Sequence, residues 1–334
     1  MNASGQEVQL TSVAAVADGK TLLEHLGEGL AYWTRVLGTE NPTTTLPVGA
    51  AAIVTLVVTV DEPADVPATI EHTIGVSLAQ PEPPVLPATV SATMAPTTVQ
   101  TRKPVTISPP LYGPNWVNSN GCCSMTPHRM AVGPINGQLL NGERFANDYE
   151  QLTSDGRLFN GDVRMLESYA YYGADVHAVA DGPVVAVVDG RPQEIPGAPR
   201  SEQLLNQRGG NHIVQDIGGG NYAFYAHLKT GSITVEPGDQ LTTGQTFGQV
   251  GNSGHTIGPH LHFEVMNAPD QLRANGLPFM FKSFRVDSRI VSQATLESLL
   301  FQTAGPAPLQ PGFTASDPRD VMPLHLDVMT FPTG

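Results

Sequence analysis

Alternation of apolar and polar side chains runs through the first hundred residues. Val8-Gln9-Leu10-Thr11-Ser12-Val13 has the two-residue period of a half-buried strand. Ile53 to Val60 and Thr69 to Leu78 continue it between the turn-forming stretches DEPAD and QPEPP. One piece, Thr21 to Trp33, has a helix-like spacing. The longest apolar run, Leu46 to Val60, is rich in Val and Thr and too short to cross a bilayer, so it predicts a buried strand. Together these predict a β-sandwich over 1–110, closed by proline-rich stretches at 81–87 and 104–114. From about 115 the pattern changes to short strands between glycine turns, among them Pro183 to Val188 and Asn221 to Leu228. Arg191 to Gly210 is long, polar and proline-bearing, which predicts an exposed loop of the kind that walls a groove. After 285, Ser292 to Gln302 is helix-compatible, and the proline-rich 305–334 reads as an extended tail on a domain surface.

Composition supports an all-β, mainly antiparallel chain. With 334 residues, about two domains are expected. Gly 34 and Pro 29 favour turns over long helices. Lys+Arg 17 against Asp+Glu 31 gives a net charge of −14, which repels phosphate backbones and argues against nucleic acid as a partner. The opening MNASGQEVQL has neither a basic nor an apolar leader region. That leaves a cytoplasmic protein or an exported one without its leader; the scarcity of lysine and the Thr-, Val- and Pro-rich start favour the second. Cys122 and Cys123 are adjacent and are expected as buried free thiols.

Seven of the ten histidines fall between 128 and 262. In Gly258-Pro259-His260-Leu261-His262-Phe263-Glu264-Val265, strand alternation puts His260 and His262 on one face and Leu261 and Phe263 on the other. That arrangement suits a zinc ligand beside a catalytic partner. A second strand, Asn221 to Leu228, carries His227. Between them, Ile233 to Gln245 has the paired glycine turns of a β-hammerhead. Biotinyl and lipoyl carrier domains share that pattern but present a lysine at a hairpin tip, and Lys229 stands in a different context. His177 and His212 are expected to pack structurally; His255, in the turn before Gly258, could line the groove, but an exposed turn position is the preferred reading. His25, His72 and His325 have no partners visible in sequence.

The segments GADVHAVADGPVVAVVDG (173–190), GGNHIVQDIGGGNYAFYAHL (209–228), VEPGDQLTTGQTFGQVGNSG (235–254) and GPHLHFEV (258–265) resemble the lysostaphin/LytM-type zinc endopeptidases, which cut peptide cross-links in bacterial cell walls. The resemblance covers roughly 115–285. Beside the β-sandwich module that the pattern predicts over 1–110, it implies 111–285 as a lysostaphin-type peptidase domain with hammerhead-like turns, leaving 286–334 as a tail. It also implies that His262 binds Zn²⁺ and that His227 and His260 flank the metal and assist catalysis. The family's remaining ligands come from a His-x-x-x-Asp. Asp148 matches the aspartate, but Arg144 stands where the histidine is expected. His128 is the replacement, with Gly133, Asn136, Gly137 and Gly142 turning the chain back to bring it onto a strand beside Asp148. The set His128, Asp148 and His262 would give zinc three protein ligands and an open position for water.

The function implied is hydrolysis of peptide bonds, in peptidoglycan stem or bridge peptides, by metal-activated water in a secreted or envelope-associated protein. Two rivals stand beside it. One is a catalytically inactive scaffold of the same fold, to which Arg144 gives weight. The other is a peptidase acting on a non-wall peptide chosen by the N-terminal module. None of these readings specifies an oligomeric state or a membrane anchor.

Overall fold

The computed structural model describes residues 1–39, 42–198, 203–301 and 305–333. Parts of two sequence expectations, the loop from Arg191 to Gly210 at 199–202 and the last residue of the helix at Gln302, lie outside the described residues. The chain divides into two compact units, Met1–Lys103 and Pro104–Gly334.

In the first unit, Val8–Ala17 pairs antiparallel with Lys20–Leu26, with Thr69–Leu78 and with Thr45–Leu46, and Thr69–Leu78 pairs with Thr89–Thr98. Asp18 and Gly19 join the first two strands with φ of 49° and 72°, the conformation a tight hairpin turn requires. That turn corrects the helix expected over Thr21 to Trp33. Residues up to Leu26 are drawn into the hairpin, and only Gly27–Trp33 is helical. The apolar run from Leu46 also behaves differently from a single buried strand. Leu46 pairs with Val8, Pro47 and Gly49 (φ 77°) then break the run, and beyond them Ala52–Val54 pairs with Thr34–Val36. Its residues are half-buried. This ribbon and the five-stranded sheet share a core of Val8, Leu10, Val13, Leu30, Val36 and Leu46, so the two layers are unequal.

The second unit is built on a sheet that has ten strands among the described residues. Its order is Gln240–Leu241, Gly182–Val188, Asn211–Asp216, Tyr222–Leu228, Leu261–Met266, Asn147–Gln151, Gly113–Ser119, Asp327–Phe331 and Arg285–Arg289, with Gly276–Leu277 pairing on Leu261–Met266. Every pairing within it is antiparallel. Two features fix where its middle lies. Leu261, Phe263 and Val265 are fully buried on one face and pack in a core with Tyr149, Tyr225, Phe279 and Phe281. The opposite face of the same strands carries the histidines.

Residues 286–334 take a larger part in this sheet than a surface tail would. Asp327–Phe331 lies between Gly113–Ser119 and Arg285–Arg289, with Met329 and Phe331 at the core. The helix Gln293–Phe301 buries Leu296 and Leu299. Burying all these apolar side chains supplies the main driving force for the unit, at about 25 cal/mol per Å² of apolar surface.

Candidate metal centre

Three adjacent strands bring the candidate groups together. In register, Asp148 stands opposite His262, and on the other side Ala226 does. The small Ala226 leaves room above the His262 ring. Nδ1 of His262 lies 3.0 Å from Asp148 Oδ1, and Nε2 of His260 lies 3.6 Å from the same oxygen.

His128 arrives by a different route from the strand expected. Thr126 caps a four-residue helix, Pro127–Met130, by accepting a hydrogen bond from the Arg129 amide, and Pro127 fills its first position. The helix lowers His128 into the interior, where Nε2 is 3.2 Å from Asp148 Oδ2 and Nδ1 is 3.3 Å from the Ala146 carbonyl. A proline at 127 is compatible with a helix start and poor for a strand, which accounts for the difference. Between the Gly113–Ser119 strand and this helix, Asn120 (φ 58°) donates from Nδ2 to Asp148 Oδ2 at 2.9 Å. The same connection holds Cys122 and Cys123, which are joined as a disulfide across a cis peptide rather than being free thiols.

His128, Asp148 and His262 each offer a ligand atom, and these atoms all lie within 4.8 Å of one another. Tetrahedral ligands about 2.0–2.2 Å from zinc are roughly 3.3–3.6 Å apart, near the 3.2 and 3.0 Å that separate Asp148 from His128 and from His262. All three side chains are buried. Nε2 of His262 is buried without a hydrogen-bond partner, 3.9 Å from Glu264 Oε1. Two imidazoles and a carboxylate, buried together at this spacing, fit a divalent transition metal.

Electrostatics sorts the four histidines into two pairs. Burial opposes a charge on Asp148, but His128, His260 and His262 together hold its carboxyl well below the usual range. Burial likewise opposes protonation of His128 and His262. The Asp148 carboxylate outweighs it in both, helped at His262 by Glu264, and raises their pKa values. His227 and His260 go the other way. Burial lowers His227 well below its ordinary value, with repulsion from His260 and His262 adding to it, and burial also lowers His260 despite Asp148.

Backbone contacts hold this second pair. His227 Nδ1 lies 2.8 Å from the Ser253 carbonyl and His260 Nδ1 lies 2.8 Å from the Gly258 carbonyl. A carbonyl can only accept, so each Nδ1 carries the hydrogen and each Nε2 keeps its lone pair. The two rings are 4.5 Å apart. His227 has φ 62°, a conformation rare for a side-chain-bearing residue. The Gly251-Asn252-Ser253-Gly254 turn sets these positions. Ser253 Oγ accepts from the Asn211 amide at 2.9 Å and donates to the Leu228 carbonyl at 2.8 Å. Gly254 (φ 84°) has no room for a Cβ against the Gly210 amide and the Arg208 carbonyl.

A cavity of about 320 Å³ opens over the cluster. The segment Arg191 to Gly210 walls it through Arg208 and Gly209, tied down where Glu194 N donates to Asn252 O and Gly197 N to Ile257 O. His255 lines this cavity half-buried, instead of standing in an exposed turn. His177 stacks on Tyr112 at 3.9 Å, and His212 Nδ1 contacts the Gly210 carbonyl at 2.9 Å, so both serve packing. Four further cavity groups were not singled out in sequence: Asn120, Glu143, Glu150 and Gln271. Alternation offers a signal for one of them, since Glu150 is two residues from Asp148 on the same strand face. Asn120 and Gln271 carry no such signal.

Residues 167–274, about a third of the chain, match the family model described as Peptidase family M23. The matched segment contains His227, His260 and His262; His128 and Asp148 precede it. The chain is 33% identical over 97 residues to glycyl-glycine endopeptidase ALE-1 of Staphylococcus capitis, a stretch covering 29% of this chain and 24% of that protein. It is 39% identical over 57 residues to peptidoglycan DD-endopeptidase ShyA of Vibrio cholerae, covering 17% of this chain and 13% of that protein. The matches therefore span about a quarter or less of these relatives. Among solved structures, the catalytic domain of the antimicrobial peptidase lysostaphin from Staphylococcus simulans aligns at 22% identity and a TM-score of 0.26, over 49% of this chain and 85% of that one.

Proposed function

We propose that the second unit is a zinc-dependent endopeptidase that hydrolyses peptide bonds in peptidoglycan cross-links, with zinc held by His128, Asp148 and His262. The observation that carries this reading is the buried His–Asp–His set, which supplies a third ligand from outside the usual spacing and so offsets Arg144. The M23 match supports peptidase chemistry, and the two endopeptidase relatives support a cell-wall substrate. A peptidoglycan substrate in turn implies action at the envelope or outside the cell. Among the described residues, no helix is long and apolar enough to cross a membrane.

When bound, zinc supplies Lewis acidity, which polarises a peptide carbonyl and makes water a nucleophile near neutral pH. The chain's own groups do the rest. His227 and His260 are neutral at pH 7 and present Nε2 lone pairs, so either takes a proton there without first losing one. The ring that becomes protonated is then a cation placed to stabilise a developing oxyanion. The Ala146 carbonyl accepts from His128 Nδ1 and orients that ligand imidazole, and Asn120 orients Asp148.

The test is digestion of purified peptidoglycan by zinc-loaded protein, with fragments identified by mass spectrometry. Cleavage at a peptide bond, abolished by a chelator and by His260→Ala, is expected. Zinc-loaded protein that binds peptidoglycan without cutting it would instead favour a non-catalytic scaffold.

A further inference from the structure

The connection between the Gly113–Ser119 strand and the Pro127–Met130 helix carries a group with no role in hydrolysis, the Cys122–Cys123 disulfide. Both ends of that connection belong to the metal centre. Asn120 holds Asp148 Oδ2 at one end, and the helix sets His128 against the same oxygen at the other. Thr126 Oγ1 donates to the Asn120 carbonyl at 3.1 Å and closes the connection into a loop. Within the loop Cys122 is only 4% exposed and is held from two sides. Its carbonyl accepts from the His325 amide at 2.7 Å, and its Sγ lies 3.9 Å from Nη1 of Arg129, the residue after His128. Cys123, by contrast, is exposed.

A bond between neighbouring side chains closes a small ring that includes their shared backbone, so the torsions inside the ring are fixed while the bond lasts. Closing so short a loop takes little entropy from the unfolded chain, which makes this a poor staple for the fold as a whole. Its effect is local, and the local groups are Asn120 and His128. Resting on the zinc-peptidase reading, we infer that Cys122–Cys123 is a thiol-exchange site, and that a dithiol reductant opening it loosens the metal centre. A thiolate of the reductant attacks Sγ of the exposed Cys123, the S–S bond breaks, and Cys122 leaves as a thiolate beside the Arg129 guanidinium. The second thiol of the reductant then displaces Cys123 from the mixed disulfide. Two electrons and two protons pass to the protein, and the reductant becomes a disulfide. Thiols stay reduced in the cytosol, whereas disulfides persist in oxidising compartments. The chain therefore holds zinc weakly until it is oxidised outside the cytosol, where the proposed substrate lies.

The experiment uses the full chain in three forms. These are the oxidised protein, protein reduced with dithiothreitol that is then removed under nitrogen, and Cys122→Ser/Cys123→Ser. The double variant lacks the bond and leaves no thiols to bind zinc themselves. Iodoacetamide labelling, read by mass spectrometry, should modify neither cysteine in the oxidised form and both in the reduced form. Chelator competition should show zinc bound about tenfold more weakly by the reduced form and by the double variant. Hydrogen exchange without zinc should be faster at residues 120–130 in both, and unchanged in the buried strand Tyr222–Leu228. Labelling before reduction, or a bond that dithiothreitol leaves intact in folded protein, would overturn the inference. Equal zinc affinity in the oxidised form and the double variant would overturn it too, and would leave the peptidase reading standing. Protein that shows the redox-dependent exchange but neither binds zinc nor cuts peptidoglycan would count against the peptidase reading alone.

Discussion

Asp148 touches or faces three imidazoles, and the charge balance of the centre rests on it. Its hydrogen bond from Asn120 is the kind of outer contact that fixes a ligand's orientation. Asn120→Ala should therefore weaken zinc about 10–100-fold in a competition titration with a chromogenic chelator; unchanged affinity would remove Asn120 from the site. His262→Ala should lose both zinc and activity, whereas His260→Ala should keep most of its zinc and lose turnover. Equal zinc occupancy and equal activity in those two variants would contradict the roles assigned to them. His260 and His262 are legible from alternation alone, because a strand has only two faces and Leu261 and Phe263 claim the apolar one. His128 is not, since nothing in the twenty residues before Asp148 shows that a proline-started helix will lower its ring onto that carboxylate.

At the scale of elements, polar anchors inside the sheet hold the histidine-bearing strands in place. Tyr225 OH accepts from the Val179 amide at 3.0 Å and donates to Gln215 Oε1 at 2.9 Å, all within the core. Tyr225→Phe leaves a buried N–H and a buried amide oxygen unpaired. It should cost about 1–3 kcal/mol of stability by urea denaturation, and a loss below a few tenths would show that water replaces the hydroxyl. The strands of Thr69–Leu78, Gly182–Val188 and Tyr222–Leu228 follow the sequence pattern closely, because each is an alternating or continuously apolar run bounded by turn residues. Asp327–Phe331 does not announce itself. Five residues after a proline-rich stretch become a strand through pairing with Arg285–Arg289 on one side and with Gly113–Ser119, more than two hundred residues away, on the other. Long-range pairing of this kind leaves no local signature. The Asp18-Gly19 turn was local and legible in principle, and it overrode the helical spacing that followed.

For the whole molecule, buried neutral histidines set the acid limit of stability. Burial lowers His177, His212 and His325, the last to about 4 from an ordinary 6.5. The folded state then binds fewer protons than the unfolded one. Their contribution is complete above about pH 6.5 and is lost as pH falls toward the folded values. Buried Glu150, raised to about 8, acts with the opposite sign, so the histidine share is read as a difference: against His325→Gln, wild type should lose urea midpoint as pH falls from 6.5 toward 4.5. A difference that stays constant over that range would contradict this. The measurement that bears most directly on the account is zinc per chain, by elemental analysis, on wild type and His128→Ala purified side by side. About one zinc in wild type and a large loss in the variant are expected. Full zinc in both, or none in either, would contradict a centre built from His128, Asp148 and His262.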